Sequence, residues 1–297
     1  MYATRFAPSP TGDLHKGHAF SALSAFAAAQ AAGGRFVLRI EDIDATRCRP
    51  EFEAHILADL AWLGLAWETP VRRQSEHFDD YQAALAALEA DGLTYRCFRT
   101  RREVAEAMAS APHGPMEVFR GEPLPPDEEA RRLAAGEGFA WRLSLDAAAR
   151  KLGGFEGLTF TDADAGVVQA RPELGGDVVL ARKDVGVAYH LAVVVDDALQ
   201  GITEVVRGQD LFEATHVQRL LQALIPATAL FGGMGVKAAS GDVPTGGALP
   251  TPTYRHHPLL TGPDGKRFAK RDKAETLRSL RERGMTAAEL RKELGFG

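Results

Sequence analysis

The amino-terminal stretch of this 297-residue chain restricts the fold most. Residues 2 to 7 form a short strand candidate that runs into the turn-rich segment PSPTGDLHKGH. Ala19 to Ala32 then follows, rich in strong helix formers and ending at Gly33-Gly34. The next segment, RFVLRIED, has the apolar, β-branched run of a buried strand. Strand, loop, helix and strand in this order predict an α/β protein built on a parallel, nucleotide-binding sheet.

A loop that leaves a strand and enters a helix turns backbone N–H groups and the positive helix end toward whatever lies above it, which suits phosphate. His15 and His18 flank Gly17 in that position. Imidazoles there can donate hydrogen bonds to phosphate oxygens, and glycine permits close backbone approach. HxGH alone is only four residues long and fits two surface histidines equally well.

Further along, Pro50 is placed to open a helix over Glu51 to Leu63, and a second amphipathic helix is predicted over Glu76 to Ala90. From about 95 to 188 the texture changes to Arg-rich segments, a Pro/Gly stretch at 112 to 126, and strand candidates in FAWRLSL and DVVLARKD, predicting an inserted α+β subdomain. The run YHLAVVVDDALQGITEVVRG reads as two strands, LAVVV and ITEVV, with Asp196 and Asp197, which could pass for a metal pair, read as a solvated turn. Residues 227 to 250 are small and Gly-rich, as expected of a mobile loop or surface insertion, and the chain closes on a short helical tail.

With 45% hydrophobic and 25% charged residues the composition is that of an ordinary globular protein. A net charge of -5 excludes a whole-chain basic field, so RNA contact is expected only at local segments such as Arg96 to Arg102 and Lys266 to Lys273. Two cysteines, Cys48 and Cys97, argue against a disulfide framework and fit a reducing cytoplasm. No basic-then-apolar leader is visible and no apolar stretch approaches eighteen residues, so neither export nor membrane insertion is expected.

The wider string RFAPSPTGDLHKGH, followed by RIEDIDATR, resembles the opening of the glutamyl- and glutaminyl-tRNA synthetases, with the HIGH signature of class I enzymes written HKGH. The resemblance implies a Rossmann-type catalytic core. It also implies that Arg5, Ala7 and Ser9 hold the amino acid, that Glu41 receives its ammonium group, and that Tyr189 and Arg207 complete a glutamate site. The chemistry agrees, because an ammonium needs a fixed anion and a side-chain carboxylate needs a cation. An arginine fork would leave a neutral glutamine facing unsatisfied donors. Arg207 paired with a neighbouring acid is the alternative.

GPDGKRFAKRDKA resembles the KMSKS loop, with Arg267, Phe268, Ala269, Lys270 and Arg271 in its five positions. Lys270 then matches the lysine that neutralises triphosphate charge, and Ala269 stands where a serine hydroxyl is expected. By the same resemblance His15, Gly17, His18, Lys270 and Arg271 bind ATP, with His15, His18 and Lys270 catalytic and magnesium accompanying the nucleotide. Relatives often carry a zinc site opened by Cys-x-Cys. Here Arg99 stands where the second thiolate after Cys97 would be, and no later cysteine exists, so no zinc is expected.

Only 26 residues follow Arg271, too few for a helical anticodon-binding domain. The resemblance therefore narrows to the truncated paralogues, the glutamyl-Q tRNA(Asp) synthetases, which place activated glutamate on the queuosine base in the anticodon of tRNA(Asp). The expected organisation is a first half of the core at 1–94, the inserted acceptor-binding-like subdomain at 95–188, and the second half of the core at 189–226. The Gly-rich insertion follows at 227–250, then the KMSKS-like loop and tail at 251–297. The expected partners are glutamate, ATP and queuosine-bearing tRNA(Asp), on a monomer. A minimal glutamyl-tRNA synthetase charging a 3' end, an inactive synthetase-like RNA-binding protein, and a general nucleotidyltransferase are the competing readings.

Overall fold

The computed structural model describes residues 1–109, 118–182, 186–232, 247–260 and 275–297. Strands β1 (Ala3–Phe6) and β2 (Arg35–Ile40) lie parallel, Ala3 opposite Arg35 and Phe6 opposite Leu38, because helix α1 (Lys16–Ala31) returns the chain between them. The buried face of α1 is mostly alanine (Ala19, Ala22, Ala25, Ala29, with Leu23). Small side chains let this helix pack close to the sheet. Helix α2 (Pro50–Trp62), with proline in its first turn, crosses to β3 (Arg72–Arg73), which pairs parallel to β2.

A second sheet has the order β7 (Gly166–Gln169), β6 (Thr159–Asp162), β10 (Thr253–His257), β9 (Glu204–Gly208). Its β9, β10 and β6 run parallel, and β6 and β7 form an antiparallel hairpin. The two sheets abut where the Thr203 amide donates to the Ala3 carbonyl at 2.9 Å and the Ala3 amide donates to Thr203 Oγ1 at 2.9 Å. Strand order thus runs outward in one direction from β1 and in the other from β9. The crevice above the carboxyl ends of those strands is where an open α/β sheet binds ligands.

A third, antiparallel sheet joins β4 (Thr94–Cys97), β5 (Ala140–Leu143) and β8 (Val179–Arg182), accompanied by α4 (Arg101–Ala109), α5 (Pro126–Ala134) and α6 (Leu145–Leu152). The hairpin β6–β7, from the same stretch of sequence, belongs instead to the sheet of β9 and β10.

The segment LAVVV is not a strand. It lies in helix α7 (Tyr189–Leu199), where every residue from Leu191 to Ala198 is buried. A helix apolar on all sides belongs in the middle of a core. Here α7 shares the main core with residues of α3 (Phe78–Ala90), α8 (Phe212–Leu224) and α9 (Ala227–Phe231). The ITEVV segment does form a strand, β9.

The tail, α10 (Leu277–Glu282) and α11 (Ala287–Glu293), returns to the amino-terminal loop. Thr276 forms an antiparallel bridge with His15, the Leu277 amide donates to the Leu14 carbonyl at 2.8 Å, and Lys16 Nζ meets Glu293 at 2.5 Å. Most of the Gly-rich segment 227–250, and the signature-like residues Arg267 to Arg271, lie outside the described residues.

Candidate active site

A cavity of about 490 Å³ opens above the carboxyl ends of β1, β2 and β9. Arg5 and Ala7 reach it from β1 and its exit, Glu41 from the end of β2, Arg207 from β9, and Tyr189 from the first turn of α7. His15, Gly17 and His18 complete the wall. Of the expected site residues, Ser9 alone among those described lies apart. It lines a larger neighbouring cavity of about 910 Å³ that borders the β4–β5–β8 sheet and shares Glu41 and Tyr189 with the first. Lys270 and Arg271 are outside the described residues.

The two histidines form the cap of α1. His15 Nδ1 accepts from the Gly17 amide at 3.1 Å, and His18 Nδ1 accepts from the His15 amide at 3.2 Å. The rings stack with centroids 3.8 Å apart. Since each Nδ1 is an acceptor, a neutral ring must carry its proton on Nε2. The helix cap therefore orients two N–H donors as a fixed pair. Gly17 leaves the His15 ring its room: a Cβ there would lie 3.0 Å from His15 Cε1 and 3.1 Å from His15 Nδ1.

Beneath the cavity lies a buried charge network. Arg5 Nε donates to Asp197 at 3.0 Å, and Arg39 Nη1 donates to the same oxygen at 2.8 Å. Arg39 also reaches Glu41 at 3.3 Å and Asp196 at 3.5 Å. Arg72 binds Asp196 at 2.7 Å and Asp80 at 2.6 Å, while Gln74 and the Tyr81 hydroxyl donate to Asp196. The expected solvated turn at Asp196 and Asp197 is thus corrected: both are buried, on a helix, and paired with arginines from three strands. Burial pushes the Glu41 carboxyl above its ordinary range, outweighing Arg39 and Arg5. Asp197 suffers the same burial, yet Arg5 and Arg39 together hold it below that range. Three guanidiniums (Arg5, Arg39, Arg72) face four carboxylates (Glu41, Asp80, Asp196, Asp197), a surplus of one negative charge beside the cavity.

Arg207 is built differently. It is 5% exposed, and among the described residues the bonding partners of its guanidinium are neutral side chains and a carbonyl rather than a neighbouring acid. Nε donates to His256 Nε2 at 3.1 Å, and Nη2 donates to Thr215 Oγ1 at 2.7 Å and to the Leu211 carbonyl at 3.2 Å. Buried Nη1 has no hydrogen-bond partner among the described residues. A buried guanidinium donor left unmade costs about 1–3 kcal/mol or more.

At the subdomain, Cys97 is buried beside Tyr95 and Phe119, and the Arg99 guanidinium lies 5.9 Å from the Phe119 ring. No group of three or more metal-ligating side chains occurs among the described residues. In the basic segment expected to meet RNA, Arg96 is engaged internally by Glu129 at 2.5 Å and by the Trp141 ring at 4.2 Å, whereas Arg99 and Arg101 line the larger cavity.

Sequence reasoning missed Arg39, Asp162 and His256, and it misplaced Asp196 and Asp197. Arg39 had a usable signal, standing two residues before Glu41 on one face of a strand. His256 sits in YRHHPLL, and no local pattern ties it to Asp162 or Arg207.

The chain belongs to the class I tRNA synthetases for glutamate and glutamine: residues 1–231 match the family described as tRNA synthetases class I (E and Q), catalytic domain. Within that class it is 44% identical to a glutamyl-Q tRNA(Asp) synthetase of Rhodobacter capsulatus, the match covering 99% of each chain. A second glutamyl-Q tRNA(Asp) synthetase, from Symbiobacterium thermophilum, is 40% identical over 96% of this chain and 82% of its own. A glutamate tRNA ligase of Elizabethkingia meningosepticum, solved in complex with its amino acid, superposes with a TM-score of 0.69 at 25% identity, covering 96% of this chain. That comparison takes in 53% of the ligase, so this chain spans about half its length.

Proposed function

We propose that the chain condenses glutamate with ATP to glutamyl-adenylate and pyrophosphate, then transfers the glutamate to the queuosine base in the anticodon of tRNA(Asp). The observation that carries the first step is the arrangement of charge around one cavity. A surplus of carboxylate lies beside Glu41, and a buried guanidinium with an unpaired donor lies at Arg207. An α-ammonium suits the first and a side-chain carboxylate the second, with Arg5, Ala7 and Tyr189 shaping the space between. The fixed Nε2–H donors of His15 and His18 face ATP phosphates at the head of α1, and by their match to the family signature Lys270 and Arg271 add positive charge for the same phosphates. Developing charge on the phosphates is met by preorganised donors and not by covalent chemistry. Magnesium, when bound with the nucleotide, would offset charge on its phosphates.

The second step is supported by the names of the relatives and by the larger cavity. Ser9, Arg99, Arg101 and Phe139 line that cavity, which meets the smaller one at Glu41 and Tyr189. A nucleobase entering there would approach the activated carboxyl directly. A monomer is the form we propose, and ATP and tRNA as substrates support a cytoplasmic setting. No helix among the described residues is long and apolar enough to cross a membrane.

Two measurements test the reading. Pyrophosphate exchange into ATP should require glutamate and should not respond to glutamine. Labelled glutamate should appear on tRNA(Asp) that carries queuosine and not on the same tRNA lacking it; labelling of tRNA(Glu) would instead identify a minimal glutamyl-tRNA synthetase.

A further inference from the structure

Arg207 is oriented by a chain of hydrogen bonds that begins far from it in sequence. Asp162, at the end of β6 and 2% exposed, accepts the backbone amides of Asp164 and Ala165 on Oδ1, each at 3.0 Å. That tight turn fixes the carboxylate and leaves Oδ2 facing His256 Nδ1 at 2.7 Å. A carboxylate can only accept, so His256 must carry its proton on Nδ1 and present an unprotonated Nε2. That lone pair accepts Arg207 Nε at 3.1 Å. The imidazole is clamped by Phe212, edge-on at 5.0 Å, and by the stacked Tyr254 ring.

We propose that Asp162 and His256 are positioning residues for substrate selection: Asp162 sets the His256 tautomer, and His256 holds the plane of the Arg207 guanidinium at the wall of the cavity. The proposal rests on the reading of Arg207 as the receptor for the glutamate side chain. Neutral partners matter here. A carboxylate bonded directly to Arg207 would offset the charge that must recognise the substrate, whereas an imidazole fixes the plane of the fork and leaves its charge unspent. Burial and the neighbouring Arg207 press the His256 pKa down to about 4 against the pull of Asp162. The ring therefore stays neutral throughout the range in which the protein would work.

Asp162→Asn is the sharpest test. With its carbonyl oxygen kept on the two amides, the asparagine would turn an NH2 group toward Nδ1. This favours the opposite tautomer and sets Nε2–H against Arg207 Nε, donor against donor. The glutamate KM in pyrophosphate exchange should rise roughly ten-fold or more, with the ATP KM within about two-fold of the parent and the kcat changed less than the glutamate KM. His256→Gln, whose amide oxygen can still accept from Arg207, should recover part of the affinity that His256→Leu loses. Equal rises in the KM of glutamate and ATP, or a glutamate KM unmoved in Asp162→Asn, would overturn the proposal. Arg207→Lys measured in parallel separates the two levels. If it raises the glutamate KM while Asp162→Asn does not, only the positioning roles fail. If Arg207→Lys leaves that KM unchanged, the reading of Arg207 fails as well.

Discussion

Arg5 and Arg207 line one cavity from neighbouring strands and are equally buried, yet they are held by opposite means. Arg5 is bonded to Asp197, inside a network that carries more carboxylates than guanidiniums. Arg207 is bonded to an imidazole, a hydroxyl and a carbonyl, and keeps one donor without a partner among the described residues. The difference gives the cavity two electrical ends. At Arg5 and Glu41 the positive charges are already compensated, so an ammonium is the welcome guest. At Arg207 the charge is stabilised by dipoles without being cancelled, so a carboxylate is. A glutamate zwitterion, with its additional side-chain acid, matches both ends in one orientation.

Removing the uncompensated end should have the largest effect. Arg207→Gln is expected to lower kcat/KM for glutamate in pyrophosphate exchange by roughly 10²–10³-fold, the scale of about 3–4 kcal/mol for deleting one member of a buried charged pair. Activity with glutamine relative to glutamate should rise, since the site no longer rejects a neutral side chain. A loss confined to kcat would show that Arg207 serves the chemical step instead.

Breaking the compensated end should instead cost stability. Asp197→Asn removes the charged partner of Arg5 and one of the partners of Arg39 in a buried site, at about 3 kcal/mol, visible as a lowered thermal midpoint. Because the folded-state pKa of Asp197 is depressed, the parent protein holds this contribution above the ordinary carboxylate range and loses it as pH falls through the depressed value. The variant should accordingly show a weaker loss of stability in acid. An unchanged midpoint would mean that the network is not needed to balance the two arginines.

Glu41 offers the opposite sign within the same network. Its carboxyl is raised by burial, so in the free protein its ionised form opposes folding, and stability declines as pH rises from the unfolded to the folded pKa. Bound ammonium should favour the ionised form. Glutamate affinity is therefore expected to fall as pH drops through the raised pKa, and Glu41→Gln should bind about 10-fold more weakly or worse while losing that pH dependence. Calorimetric titration at several pH values checks both. Persistence of the pH dependence in the variant would assign it to another group.

These two ends were unequally legible in the sequence. Arg5, Glu41, Tyr189 and Arg207 stand beside patterns that a single chain displays: a strand, a signature loop, a strand end. Their partners do not. Asp197 lies 192 residues from Arg5, and His256 lies 94 from Asp162, so only the fold brings them together. The same limit misled the reading of LAVVV. A short run of β-branched residues fits a buried strand or an enclosed helix equally well, and the decision rests with the surrounding core. Once LAVVV is a helix, the two aspartates that follow it sit on its buried face and no longer on a turn. The error in secondary structure and the error in burial were a single error.

The smallest expected effect concerns the third wall of the cavity, where the histidine pair belongs to neither charged end. Gly17→Ala adds one carbon that would stand 3.0 Å from His15 Cε1, closer than comfortable contact, so the ring must shift by a few tenths of an ångström. Alanine is the better helix former by roughly 0.5–1 kcal/mol, and position 17 lies inside α1. The variant should therefore unfold at the same temperature as the parent or slightly higher. Its adenylation rate should fall only several-fold, because His15 still caps the helix but no longer aims its Nε2–H along the same line. The glutamate KM should stay fixed, since neither Glu41 nor Arg207 is touched. A rise in that KM equal to the loss in rate would mean that the histidine loop shapes the amino acid end too, and the separation of phosphate donors from glutamate receptors would have to be abandoned.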